Sequence, residues 1–309
     1  MFGLRPEGKR VKGLDPIVQI MPYLMPQRCD AQVFLSYDAD YEPLMKYIAA
    51  KSREGIKITF MELLIACYVR AASQVPETNR FIMNKQYYNR KELTVSFTLL
   101  LDTKDDTIEE NAVKIRFDPA DTIFDVSARV KKAIEENRKP ADGGFLIKLA
   151  SGLLKVPGLA NLVVGLVKLL DRYGLCPKFL IDELPFHTSM FITNMASIGM
   201  TRVYHHIYNF GNTSLFMSLG NPIRSNAVDR EGKVYRKAVL PIGMTADERV
   251  CGGAMYARLF AQMKHLLAHP EELELPPASV RYNEGCEFHE PKPENVAVPA
   301  KDDGVAAEA

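Results

Sequence analysis

The sequence has few cysteines, and their arrangement gives no sign of a metal or redox site. The chain contains five, at positions 29, 67, 176, 251 and 286. They lie far apart, and none forms the C-x-x-C pair that is typical of zinc sites and redox dithiols. We therefore expect reduced thiols and a cytoplasmic protein. No group of His, Cys, Asp and Glu residues has ligand spacing, so we also expect no metal site.

An excess of charge of either sign is also missing. The chain has 39 basic and 38 acidic residues, for a formal net charge of +1. This balance gives no electrostatic reason to expect nucleic acid as a partner. With 309 residues, of which 47% are hydrophobic and 25% charged, the chain can bury a large core.

No apolar run is long enough to cross a bilayer. Residues 1–29 form a basic N-terminal segment without the apolar core of a signal peptide. Residues 145–174 are the most apolar region, but charged residues and a proline interrupt it, and its longest charge-free run is shorter than a spanning helix. The interruptions are Lys148, Lys155, Pro157 and Lys168.

Hydrophobic periodicity predicts one α+β domain over residues 30–280. The stretch "ITFMELLIACYVRAASQ" has apolar residues at helical spacing, and so does "GAMYARLFAQMKHLL". Between them, "ELTVSFTLL" and "NAVKIRF" alternate as strands do. Residues 281–309 have no apolar periodicity and are rich in proline, alanine and charge, which predicts a disordered tail.

Three segments, in this order, resemble the catalytic domain of the dihydrolipoamide acyltransferases of 2-oxoacid dehydrogenase complexes and the related chloramphenicol acetyltransferases. They are "ITFMELLIACYVRAASQVPETNRFI", "FITNMASIGM" and "LPIGMTADERVCGGAMYARLFAQMKHLL". The resemblance implies a chloramphenicol acetyltransferase-like sandwich, in which helices cover a mixed β-sheet. It also implies a homotrimer with active sites between neighbouring subunits, acyl-coenzyme A as co-substrate and no tightly bound cofactor.

The third segment departs from the family pattern at two positions that matter for catalysis. Aligned on the family's D-H-R-V-x-D-G, the chain keeps Asp247 and Arg249 but has Glu248 in place of the histidine and Gly252 in place of the second aspartate. In the family this histidine is the general base that deprotonates the attacking thiol or hydroxyl, a role that suits its near-neutral pKa. The standard base is therefore missing.

Three residues are candidates to replace that base. Glu248 can act as a base if burial raises its pKa, and the alternative is an ion pair with Arg249 or another cation. His205 or His206 can supply an imidazole, although adjacent residues of an extended chain point to opposite sides, so that only one would face the active-site channel. The alternative for this histidine pair is ring packing at a subunit contact. We expect Glu248 at the floor of the channel, with the ring of His205 or His206, from the same or a neighbouring subunit, close enough to share a substrate or a water.

Other residues have supporting roles in this interpretation. Thr193, Asn194 and Ser197 are candidates for hydrogen bonds to a substrate carbonyl or a developing oxyanion, with bonds to backbone as the alternative. We expect Asp247 and Arg249 to form an ion pair that holds the loop. The remaining candidates have plainer expected roles: Cys251 as a small buried residue, His187 without a nameable partner, and His265 and His269 near solvent.

The predicted function is transfer of an acyl group from an acyl thioester, expected to be acyl-coenzyme A, to an unknown acceptor, with a non-standard general base. The alternative is a non-catalytic protein of the same fold that binds an acyl ligand or a partner protein. Residues 145–174 have three interpretations: a core helix, a lid over an acyl chain, or a peripheral contact with a membrane surface.

Overall fold

The computed structural model describes residues 5–101, 110–138, 152–281 and 283. Almost all of the expected tail at 281–309 lies outside the described residues, as do residues 145–151 of the apolar insertion. The order of elements in the described part follows the alternation of strand and helix patterns in the sequence.

Strands and helices occupy most of the described ranges. The strands are β1 (Gly8–Arg10), β2 (Gln32–Asp40), β3 (Arg80–Met83), β4 (Gln86–Arg90), β5 (Leu93–Leu100), β6 (Glu110–Phe117), β7 (Met190–Asn194), β8 (Leu215–Leu219), β9 (Ile223–Val228) and β10 (Val234–Asp247). The helices are α1 (Pro16–Leu24), α2 (Tyr41–Arg53), α3 (Phe60–Gln74), α4 (Ile123–Asn137), α5 (Leu159–Arg172), α6 (Lys178–Glu183) and α7 (Gly253–Ala268).

The main sheet has seven strands, in the order β2-β10-β8-β7-β5-β6, with β9 also paired to β10. Strands β5, β7 and β8 are parallel to one another, whereas β6, β9 and β2 pair antiparallel to their neighbours. This is the mixed sheet that the sequence predicted. A second, three-stranded sheet has the order β1-β4-β3.

One face of the main sheet packs against α3 and α7 to form the core. The inward side chains of β7 and β8 include Ile192 and Met217, which are fully buried. The predicted stripe of α3 is buried against them, including Leu63 and Cys67. Thr59 caps α3 by accepting from the Glu62 backbone N–H, and the Glu62 carboxylate accepts from the Thr59 N–H in return. This reciprocal cap fixes where α3 begins.

The opposite face of the main sheet is crossed by residues 199–214, most of which have no regular secondary structure. Ser218 on β8 holds this segment, because its hydroxyl donates to the Val203 carbonyl at 2.5 Å and accepts from the Val203 N–H at 3.2 Å. Gly243 on β10 allows the close approach, since a Cβ there would overlap the Val203 carbonyl oxygen. The segment therefore lies directly on the sheet.

Helix α5 does not belong to the core. Asp171 is its single buried residue, and Leu162 is 70% exposed. The core interpretation of the apolar insertion is therefore wrong for its described residues. No helix among the described residues is long and apolar enough to cross a membrane.

Candidate functional site

A cavity of about 440 Å³ lies where β7 ends. Thr193, Asn194 and Ser197, the three residues expected to contact substrate, all line it. Its other walls come from the beginning of α3, the end of β5, and apolar residues that include Leu219 and Leu240. A mainly apolar cavity of this size with a few polar groups is typical of sites for small organic ligands.

The polar groups of this cavity are positioned by the end of β7, which carries Thr193 and Asn194, and by the following turn, which carries Ser197. Ser197 donates its hydroxyl proton to the Asn194 carbonyl oxygen at 2.6 Å, so it must rotate before it can donate to a ligand. Among the described residues, the partner of the Thr193 hydroxyl is the Met195 sulfur, at 3.6 Å, and sulfur is a weak acceptor. The side-chain oxygen of Asn194 is buried without a hydrogen-bond partner among the described residues. A ligand N–H or O–H group would satisfy it.

Glu62 also lines this cavity, and the sequence analysis did not select it. The residue is 2% exposed. Burial raises the pKa of Glu62, while hydrogen bonds with Thr59 and the charge of Lys131 oppose that rise. The signal that could have identified this position is the sequence T-F-M-E before an apolar run, which is the pattern of a helix cap.

His205 and His206 lie on the outer face of the sheet. The His205 ring is stacked on Phe216 of β8, with ring centroids 4.1 Å apart. The His206 ring is stacked on His205 at 4.6 Å, so the two side chains share a side. The expectation that they point to opposite sides is wrong, because residues 201–208 do not form a strand and the alternation rule does not apply to them.

The hydrogen bond that His205 makes determines which of its ring nitrogens is basic. Its Nδ1 lies 2.8 Å from the His206 carbonyl oxygen, and a carbonyl can only accept, so Nδ1 carries a proton. The neutral ring therefore has Nε2 as its basic nitrogen. Burial lowers the pKa of His205, the hydrogen bond to the His206 carbonyl raises it, and the nearby His206 lowers it further, with a net lowering. A neutral imidazole at physiological pH is the form that can accept a proton.

Asp247 and Arg249 form the expected ion pair at the end of β10. Arg249 Nε and Nη2 donate to the two carboxylate oxygens of Asp247 at 2.8 and 2.7 Å. The Tyr256 hydroxyl donates to the Asp247 carbonyl at 2.9 Å, which ties the loop to α7. Arg28, which the sequence analysis did not select, lies with its Nε 3.9 Å from Asp247. Burial lowers the pKa of Arg28 to about 10, although the charge of Asp247 opposes this.

Glu248 lies between the buried Asp247 and Arg249 in the sequence, but its own side chain is exposed. Its backbone N–H donates to the Ala31 carbonyl at 3.0 Å. Its carboxylate has no hydrogen-bond or ion-pair partner within the described ranges, and Arg249 is engaged by Asp247 instead. Within a single chain, Glu248 is not at the floor of the β7 cavity, and neither His205 nor His206 lines that cavity.

The remaining candidate residues lie outside the β7 cavity and have other contacts. Cys251 is buried, and burial raises the pKa of its thiol to about 12, so the reactive thiolate is disfavoured. His187 has a partner that the sequence did not reveal: its Nε2 lies 2.9 Å from Asp171 Oδ2. His265 Nε2 lies 2.8 Å from Glu272 at the surface. The described residues contain no cluster of His, Cys, Asp and Glu that could hold a metal ion.

Comparison with known proteins agrees with this architecture. Residues 186–275 match the model of the 2-oxoacid dehydrogenases acyltransferase catalytic domain family. This range contains the strand that ends in the β7 cavity and the loop with Glu248. No curated protein matches the chain significantly.

Similar solved structures share the fold at low sequence identity. A probable dihydrolipoamide acetyltransferase from Listeria monocytogenes is 11% identical, with 88% of this chain and 99% of that one covered and a TM-score of 0.51. The cubic core of a pyruvate dehydrogenase multienzyme complex is 16% identical, with 86% and 94% covered and a TM-score of 0.51. A chloramphenicol acetyltransferase is 11% identical, with 84% and 99% covered and a TM-score of 0.50. The chain therefore has the chloramphenicol acetyltransferase-like α+β fold, and its residues 186–275 have the sequence pattern of 2-oxoacid dehydrogenase acyltransferase catalytic domains.

Proposed function

We propose that the protein binds an acyl thioester at the β7 cavity and transfers its acyl group to a second substrate. One observation carries the proposal: the three hydrogen-bonding residues selected from sequence line one mainly apolar cavity of about 440 Å³. The apolar walls suit an acyl chain. Thr193, Asn194 and Ser197 suit the carbonyl and the oxyanion that forms when it is attacked.

The donor that we propose is acyl-coenzyme A, as a co-substrate and not as a tightly held cofactor. Its pantetheine arm contains amide groups, and the unpartnered oxygen of Asn194 is an acceptor for such an N–H. The acceptor of the acyl group is a small molecule with a thiol, hydroxyl or amine. The attacking atom loses its proton to a general base, the acyl carbonyl becomes an oxyanion, and the coenzyme A thiolate leaves.

We propose a homotrimer in which a neighbouring copy completes the site. In a single chain Glu248 is exposed and His205 is half-buried, and both are separate from the β7 cavity. A base exposed on one copy can meet the cavity of the next, an arrangement that the family resemblance implies. Glu248 and His205 are then the leading candidates for the base, with His206 as the third.

A second candidate function is binding without turnover. The exposure of Glu248 and the loss of both family residues at positions 248 and 252 favour it. In that case the β7 cavity holds an acyl ligand, and the loop with Glu248 has no catalytic role.

A thiol-release assay with acyl-coenzyme A of several chain lengths tests the proposal, together with calorimetric binding of the same donors. We expect donor-dependent thiol release that falls by at least about tenfold in Thr193→Val and in Asn194→Ala, because the first removes a donor proposed for the reacting carbonyl and the second removes the acceptor proposed for the pantetheine amide. Ser225→Ala on β9 is the matched control, since Ser225 does not line the β7 cavity.

Two outcomes would overturn the enzyme proposal. Saturable donor binding without thiol release, with or without an added acceptor, would establish the binding function. Absence of both binding and release with every donor would show that the β7 cavity is not an acyl site.

A further inference from the structure

Helix α5 leaves a stripe of large apolar side chains exposed. Leu162, Leu166 and Leu169 form one stripe at helical spacing, and they are 70%, 52% and 52% exposed. Asp171 is nine residues after Leu162, which places it about 180° around the helix axis. It is the one residue of α5 that is buried against the body of the protein. A surface helix normally turns its apolar stripe towards the core, so this exposed stripe is a candidate interaction surface.

Asp171 is held in that orientation by two buried groups. Arg5 Nη2 donates to Asp171 Oδ1 at 2.5 Å, and His187 Nε2 lies 2.9 Å from Asp171 Oδ2. The side chains of all three residues are at most 3% exposed. The outward stripe of α5 is therefore a fixed property of the fold.

Helix α1 exposes a second set of apolar side chains. Ile17, Ile20 and Leu24 lie at helical spacing and are 74%, 51% and 67% exposed. Pro22 is the only buried residue of α1. A cavity of about 510 Å³ is lined both by Pro22 and by the C-terminal end of α5, so the two helices flank one opening.

This second cavity, the α1–α5 cavity, is basic. Its lining includes the cations Arg28, Lys85, Lys168, Arg172 and Arg249, and the anion Asp171. Of the buried cations, Arg249 is paired with Asp247, whereas Arg28 Nε has no hydrogen-bond partner within the described ranges. Arg28 is 6% exposed and its Nε lies 3.9 Å from Asp247, so the cations of this cavity that an external anion can reach are the exposed Lys85, Lys168 and Arg172.

We propose that the α1–α5 face docks on the surface of a bilayer that contains anionic phospholipid, with the leucine stripe in the acyl boundary and headgroup phosphates at Lys168 and Arg172, the two exposed cations that α5 contributes to the cavity. Apolar side chains next to cations are the combination that interfacial helices use. The charge of the cavity therefore favours a lipid surface as the partner.

Vesicle co-sedimentation of the full chain tests the proposal, using vesicles of phosphatidylcholine alone and of phosphatidylcholine mixed with phosphatidylglycerol. We expect binding to the mixed vesicles that weakens as salt is raised, because the headgroup attraction is screened. The triple variant Leu162→Gln, Leu166→Gln, Leu169→Gln should lower partitioning by at least about tenfold, since apolar burial in the interface is lost. Glutamine retains helix propensity close to that of leucine.

Two matched control variants show whether a loss of vesicle binding is specific to the α1–α5 face or follows from any change of surface polarity or charge. Val228→Gln with Val234→Gln removes apolar side chains that are 64% and 62% exposed on the β9–β10 hairpin, and it should leave partitioning unchanged. Lys168→Glu with Arg172→Glu should lower partitioning by at least about fivefold. Lys46→Glu with Lys132→Glu alters side chains 75% and 77% exposed elsewhere, and it should have a much smaller effect.

Circular dichroism and sedimentation velocity complete the design. Each variant should keep the wild-type circular dichroism spectrum. A loss of vesicle binding then results from the altered surface and not from unfolding. Absence of binding to the mixed vesicles would overturn the proposal, and so would equal binding of the triple leucine variant. Dissociation of an oligomer by that variant, without vesicle binding by the wild type, would assign the face to a second copy instead.

Discussion

His187 and Asp171 are sixteen residues apart and meet in a buried contact, with 2.9 Å between Nε2 and Oδ2. This contact joins an apolar surface helix to the residues that lead into β7, the strand that ends at the proposed acyl cavity. The pKa of Asp171 reflects it: burial would raise that pKa, but the hydrogen bond and charge of His187 and the charge of Arg5 lower it overall. The contacts that hold α5 on the body of the protein therefore depend on the charge of Asp171.

Asp171→Asn should destabilise the fold. It removes the charge that pairs with a buried Arg5, and we expect a loss of at least about 2 kcal/mol in the free energy of unfolding at neutral pH. The folded pKa of Asp171 is lowered, so its contribution is fully present above the unfolded value of about 3.9 and is lost as the pH falls through the folded value. Denaturant titrations at pH 7 and below pH 4 measure this.

The matched control for that variant is Asp182→Asn, which removes an exposed carboxylate paired with Lys178 at i,i+4. It should cost no more than about 0.5 kcal/mol. Equal effects of the two variants at pH 7 would show that the buried contact contributes nothing specific.

Gly243→Ala should displace the segment that carries the two histidines. A Cβ at this position would overlap the Val203 carbonyl and lie 2.7 Å from Ser218 Oγ, and backbone cannot yield cheaply. We expect a loss of about 1–3 kcal/mol in the free energy of unfolding. Gly253→Ala is the control, because nothing lies within 4 Å of its added Cβ. Unchanged stability in both variants would contradict the close approach of residues 199–214 to the sheet.

The pH dependence of turnover should distinguish the candidate bases. A His205 base has a lowered pKa, so its rate should be constant above about pH 6.5 and fall as the pH drops through the lowered value. His205→Gln should then reduce the rate by on the order of a hundredfold to ten-thousandfold, while Glu248→Gln retains most of it. If Glu248 is the base, Glu248→Gln should lose the activity and His205→Gln should retain most of it.

His206→Gln completes that comparison, since His206 is stacked on His205 and shares its side of the sheet. Effects below about threefold in all three variants, in a preparation that turns over, would show that none of the three residues is the general base. Steady-state rates across pH, with circular dichroism of each variant, provide the measurement.

The assembly should be a trimer or a multiple of one. A site completed by a neighbour requires an interface that buries the exposed loop with Glu248, and we expect this interface to be partly apolar. Sedimentation velocity at micromolar concentration measures the mass. A monomer that still turns over would show that one chain contains the whole site.

Local patterns in the sequence were enough to predict the α+β class and several of its helices and strands. The apolar stripe of α3, the capping Thr59 and the alternation in β5 and β6 are local patterns, and each predicts its element from neighbouring residues alone. The same is true of the ion pair between Asp247 and Arg249, whose partners are two positions apart. Three polar residues around the end of β7 were found because a strand and its following turn keep them together.

Contacts between residues distant in sequence could not be predicted from local patterns and are seen in the folded chain alone. The pairing of Asp171 with Arg5 and His187 depends on where a surface helix docks, and the approach of Arg28 to Asp247 depends on how the N-terminal segment returns to β10. The direction of the α5 stripe could not be predicted either, because periodicity shows that a helix has an apolar face but not which way that face turns. The shared side of His205 and His206 was not predicted for a similar reason: side chains alternate along strands, and the segment that carries these two residues is not a strand.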